Sequence, residues 1–191
     1  MPNDGGGYVV DAWGGIHPFG VGGGVSTPPA TSSIAYWPGW DIVRDIAVLP
    51  DGTGGYLLDG WGGMHPFGIG GNPAPPMPVG TTYWPGWDVA RSLVLTDTGG
   101  YVLDGWGGIH PFAIGPGGTT PPQLTGGPYW PGWDIARGIA LAPGRAAGWL
   151  VDGWGGTHAM SAGGSADAKI RNTPYWTGWD IVSDVVTRDV C

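Results

Sequence analysis

Two short strings alternate along this chain, and each occurs four times. The first reads Asp-Ala-Trp-Gly-Gly-Ile-His-Pro-Phe from Asp11 to Phe19. It returns from Asp59 to Phe67, from Asp104 to Phe112 and, more loosely, from Asp152 to Met160. The second reads Tyr-Trp-Pro-Gly-Trp-Asp from Tyr36 to Asp41. It returns at Tyr83 to Asp88, Tyr129 to Asp134 and Tyr175 to Asp180, where Thr177 replaces the proline. Counted between the Trp residues of the first string, the period is 48, 45 and 48 residues. A period in the forties belongs to propeller blades, kelch-like units or helical repeats, modules too thin to bury their own apolar faces without copies beside them.

Composition chooses among these. Gly (41) and Pro (20) make up about a third of the 191 residues, Glu is absent, and Gln and Lys occur once each. The residues that usually cover exposed helix surfaces are missing, which excludes a helical solenoid. Disorder is excluded by 13 Trp, 7 Tyr and 3 Phe at fixed spacing. The formal charge of −8 repels phosphate backbones and anionic lipid, so nucleic acid and membrane surfaces are not expected partners. No run of 18 apolar residues exists for membrane insertion. The opening residues have neither the basic nor the apolar region of a secretory leader. Cys191 is the single cysteine and cannot form an internal disulfide. The mid-unit start and bare terminal thiol suggest a segment cut from something longer.

One unit predicts its own strands. Asp41 to Leu49 is rich in β-branched residues and stops at Pro50-Asp51-Gly52. Gly55 to Trp61 is a short, nearly continuous apolar run, as in a strand covered on both faces. Gly62-Gly63 reads as a hairpin turn and Met64 to Gly68 as the next strand. A connector, Ile69 to Thr82, precedes a fourth segment, Tyr83 to Trp87, interrupted by Pro85. The chain begins at a second strand (Gly7, Tyr8) and ends in a first-strand equivalent, Asp180 to Val190. The expected fold is therefore all-β: a single domain over 1–191, a four-bladed β-propeller closed by pairing the N- and C-terminal strands. Its units would be 8–40 together with 180–190, then 41–87, 88–133 and 134–179. The structural alternative is an open array that dimerises, so monomer and homodimer both stand.

The run from Ala90 to Trp106 resembles the strand–turn–strand signature of NHL-like β-propellers. The whole unit, Gly-Gly-Tyr-Val-Leu-Asp-Gly-Trp-Gly-Gly-Ile-His-Pro-Phe, is similar to Gly- and Trp-rich repeats of secreted or surface proteins of actinobacteria and their relatives. The resemblance implies a toroid of blades around a channel and an extracellular or cell-surface setting. The fourth copy departs most, with Thr157, Ala159 and Met160 in the first string and Ser183 where the other units carry Arg.

Three constellations are candidates for chemistry. In the first, Asp11/Trp13/His17, Asp59/Trp61/His65, Asp104/Trp106/His110 and Asp152/Trp154/His158, Trp would stack on a sugar ring and Asp would accept hydroxyl protons. The structural alternative, in which Asp holds the hairpin and its His, weighs more, because even the most degenerate copy keeps all three residues. The second is the paired Trp of Trp37/Trp40, Trp84/Trp87, Trp130/Trp133 and Trp176/Trp179, either a ligand platform or packing between blades. Packing weighs more, with one Trp of each pair expected to pack and the other to stand partly exposed. The third is Asp41/Arg44, Asp88/Arg91 and Asp134/Arg137. With Asp180 the four carboxylates form either a ring holding axial Ca or Na, or simple Asp–Arg pairing between blades. No Cys/His metal signature and no phosphate-cradling loop is present, and no nucleophile has a placed base. The expected function is a non-enzymatic module binding a glycan or surface ligand through the repeated Trp/Asp/His sites, with no cofactor. Alternatives are a spacer without small ligand and a fragment of a glycoside-acting hydrolase.

Overall fold

The computed structural model describes residues 5–22, 26–142, 147–163 and 170–187, and every regular element among them is a strand. The elements are β1 (Gly6–Val10), β2 (Ile16–Gly20), β3 (Thr31–Ser32), β4 (Val43–Val48), β5 (Gly54–Asp59), β6 (Met64–Ile69), β7 (Pro78–Val79), β8 (Ala90–Leu95), β9 (Gly99–Asp104), β10 (Ile109–Ile114), β11 (Ala136–Leu141), β12 (Ala147–Asp152) and β13 (Thr157–Ser161). They form four antiparallel sheets, one per repeat: β1-β2, β3-β6-β5-β4, β7-β10-β9-β8 and β11-β12-β13. Among the described residues no helix is long and apolar enough to cross a membrane.

The sheets stand side by side with the cores between them. Along β5, Tyr56 and Leu58 pack with Ala90, Leu93 and Phe112 of the following sheet. Leu57 points the other way and joins Ile16, Ile42 and Phe67. Strands β5 and β9 are buried along their whole length, which is why the sequence there is apolar without alternation. A repeated tyrosine ties each middle strand to its Pro-rich connector: the hydroxyls of Tyr8, Tyr56 and Tyr101 donate to the carbonyls of Pro29, Pro76 and Pro122, each at 2.7 Å. Trp149 takes the tyrosine's place in the last unit.

Two expectations about strands are corrected. Tyr83 to Trp87 is no strand. Pro85-Gly86 occupies the centre of a tight turn, with Gly86 at φ +78° and Trp87 N–H donating to Trp84 C=O at 3.0 Å. Pro then Gly at the two central positions is the signature of a type II turn, which no strand can absorb. The fourth strand of a sheet is instead a two-residue piece from the connector before the unit: β3 lies on β6 and β7 on β10, and an isolated Thr125–Ser161 bridge marks the same place on β13.

The second correction concerns the last segment. Residues 180–187 dock on the sheet of β11 but adopt no strand, and no pairing with β1 is present among the described residues. The closing strand was expected to run to Val190; residues 188–191, Cys191 included, lie outside the described residues.

Strands β4, β8 and β11 are neighbours, and segment 184–187 joins them in lining one cavity of about 720 Å³. Each of the three strands carries a bulge at the same place, at Arg44, Arg91 and Arg137. A bulge turns one side chain out of the alternation and re-aims it. Here each arginine lines a second space, of about 370 Å³, that Arg44, Arg91 and Arg137 share with Asp180 to Ser183.

Candidate aromatic binding surface

The Asp of the first string is a structural keystone. Asp59 Oδ1 accepts from Trp61 N–H and Gly63 N–H at 2.8 Å each, folding Gly60 to Gly63 into the hairpin. Asp59 Oδ2 accepts from His65 Nε2 at 2.8 Å. Asp104, Asp152 and Asp11 repeat the three bonds with His110, His158 and His17. A buried carboxylate must be satisfied in this way. Asp59, Asp104 and Asp152 are buried, whereas Asp11 is open to solvent. The hydrogen bond from His17, with those from Gly15 and Trp13, holds the Asp11 carboxyl below its usual range.

The histidines are therefore committed to the hairpin and to a neighbouring Trp. His65 meets the edge of Trp37 at 4.7 Å, His110 that of Trp84 at 4.9 Å and His158 that of Trp130 at 5.2 Å. These Trp residues, the first of the first three Tyr-Trp-x-Gly-Trp strings, pack against the three cores, whereas Trp176 of the fourth is exposed. The second Trp does something else. Trp40, Trp87 and Trp133 are exposed and lie edge-on to Trp61, Trp106 and Trp154 at 5.2, 4.9 and 5.2 Å. Tyr83 and Tyr175, also exposed, stand 6.5 and 6.3 Å from Trp61 and Trp154. The grouping thus differs from the sequence pairs: within one string, a ring contact joins Trp130 to Trp133 at 6.4 Å, while the exposed clusters combine Trp residues of both strings. Trp13 and Trp179 are exposed as well.

The carboxylates of the third constellation are engaged by guanidinium groups. Arg44 donates to Asp41 Oδ1 at 2.8 Å and, through Nε at 3.0 Å and through Nη2, to the carboxylate of Asp88 in the next unit. Arg91 bridges Asp88 and Asp134, and Arg137 bridges Asp134 and Asp180, in the same way. Each arginine also donates to two backbone carbonyls, as Arg44 does to Val43 and Asp41. Burial pushes the Asp88 and Asp134 carboxyls up, but their two arginines outweigh it and hold both below the ordinary range. Among the described residues no set of three or more His, Cys or Asp is arranged for a metal.

Sequence reasoning missed Asp45. It follows the bulged arginine, lies inside the cavity, and accepts from Leu93 N–H at 2.7 Å and Ser92 Oγ at 3.0 Å across the junction. Burial, with the charge of Asp184 adding to it, pushes its carboxyl up to about 6. The signal was available: Asp45 is an acidic residue in a run of β-branched ones, where Ser92 and Gly138 stand in the next two units and Asp184 in the last.

No family model matches this chain, and comparison with curated proteins and with solved structures returned no match.

Proposed function

We propose that this chain is a non-enzymatic β-propeller module that binds neutral glycans through the exposed Trp and Tyr clusters repeated on its units. The observation that carries the reading is the trio Trp40, Trp61 and Tyr83, with Trp133, Trp154 and Tyr175 in the same arrangement and Trp87 with Trp106 between them. A folded protein that keeps several indoles in water at matched positions carries a ready apolar contact surface. The C–H faces of a pyranose fit such rings, and the negative body disfavours an anionic ligand. Asp59 and His65 support the platform by fixing the Trp61 hairpin and do not touch the ligand.

The four-bladed ring belongs to the same proposal. It is supported by the inner segments of all four units lining one cavity, and the resemblance to surface repeats supports an extracellular setting. Each site would be weak, and several presented by one body would act together on a repetitive polysaccharide.

The test is a glycan array read with the intact protein and with a Trp40→Ala/Trp87→Ala variant. Both residues are exposed, at 44% and 48%, and neither belongs to a core cluster, so the fold should survive. Binding lost by about tenfold or more supports the reading, since truncating a Trp that anchors a binding surface costs about 2 kcal/mol or more. Unchanged binding overturns the platform, and an array that captures nothing favours a spacer.

A further inference from the structure

The repeat makes one kind of junction three times, and the fourth can be written from it. At each, two backbone N–H groups of an inner segment donate to a hairpin carbonyl of the unit before: Val89 and Ala90 to Gly60, Ile135 and Ala136 to Gly105, Ile181 and Val182 to Gly153. The bulged arginine of that earlier unit reaches the Asp opening the inner segment: Arg44 to Asp88, Arg91 to Asp134, Arg137 to Asp180. The hairpin glycine is required there, because a Cβ on Gly60, Gly105 or Gly153 would run into that same carboxylate.

The junction between the first unit and β4 keeps the backbone bonds: Ile42 and Val43 donate to the carbonyl of Ala12, each at 3.0 Å. It changes both side chains. Ala12 replaces the glycine. If 180–187 is the inner strand of the first sheet, the arginine position is Ser183. Two departures at opposite ends of the sequence then fall at one junction and explain each other. Without an arginine to draw Asp41 across, no carboxylate needs the space that the Ala12 methyl fills.

The surroundings agree. Residues 180–183 share the 370 Å³ space with Arg44, and 184–187 share the 720 Å³ cavity with Asp45 and Ile46. The free edge of β1 exposes Val9 at 56%, while its equivalent Leu57 is 0% exposed, and the docked segment exposes Val186 at 86%. Repeat register sets Val185 opposite Val9, as Ile46 lies opposite Leu57.

We infer that Trp179 and Trp13 form a fourth aromatic platform across this seam, completed only when residues 182–187 of the same chain lie along β1. The three complete units each pair the Trp preceding an inner strand with the Trp of that sheet's hairpin, and Trp179 and Trp13 are the two left over. This inference rests on the four-bladed reading.

The test uses the full chain with Cys191→Ser throughout. A Val9→Cys/Val185→Cys variant should form its disulfide within one chain under mild oxidation. Adding Trp179→Ala should lower the trapped fraction at early times by about 3- to 10-fold, the worth of one edge-on aromatic pair, and adding Trp87→Ala should not. In the single variants Trp179→Ala and Trp87→Ala, the coupled-indole band of the circular dichroism spectrum should fall by equal amounts. A cross-link that forms within one chain and ignores Trp179, with the band unchanged in Trp179→Ala, overturns the fourth platform and leaves the ring standing. A cross-link found only between chains, or not at all, overturns both.

Discussion

Asp59 shows how one carboxylate can serve a whole hairpin. It satisfies two backbone amides and a histidine while buried, so replacing it leaves three donors without their partner. Asp59→Ala should cost about 2–4 kcal/mol by urea unfolding. Asp11→Ala, with the same bonds in solvent, should cost far less. Equal losses would contradict the burial argument. Tyr56→Phe removes only the bond to the Pro76 carbonyl and should cost about 1 kcal/mol. Arg91→Met leaves Asp88 and Asp134 each short of a guanidinium and should cost about 2 kcal/mol, weakening in high salt.

At the scale of elements, the hairpin turns and the middle strands were plain in the sequence and the outer strands were not. The run from Gly54 to Asp59 is apolar at nearly every position because sheets cover both its faces, and that pattern can be read without coordinates. Pro78–Val79 is too short to have a pattern, and it pairs with a strand that follows some thirty residues later, so only the tertiary fold reveals it. Tyr83 to Trp87 misled in the opposite sense: aromatic residues suggested a strand where Pro85-Gly86 builds a turn. The site was legible as a set of residue types and not as groups. Spacing put Trp37 beside Trp40, but the turn between them sends the first to the core and the second to Trp61. Asp45 stayed hidden because Ser92 and Gly138 at two of the equivalent positions break the repeat, and Asp184 alone keeps the acid.

At the scale of the molecule, the cavity sets a pH dependence. Asp45 and Asp184 are both pushed up, chiefly by burial, with the charge of Asp184 adding to the effect at Asp45, and both line the cavity together with Asp97. A carboxyl with a folded-state value near 6 and an ordinary value of 3.8 holds its proton better in the folded chain. Its penalty is absent below the ordinary value and grows as pH rises through about 6. Unfolding free energy should fall between pH 4 and pH 7 by about 3 kcal/mol at most from this group. Asp45→Asn should flatten that slope. An unchanged slope would place the titrating group elsewhere.

Ring closure is the claim on which the fourth platform and the multivalent reading both stand, and hydrogen exchange along residues 182–187 of the unmodified protein tests it most directly. Closure predicts amides there protected to about the degree of β4, independent of protein concentration. Exchange at the rate of an open chain, or protection that appears only as concentration rises, would contradict it.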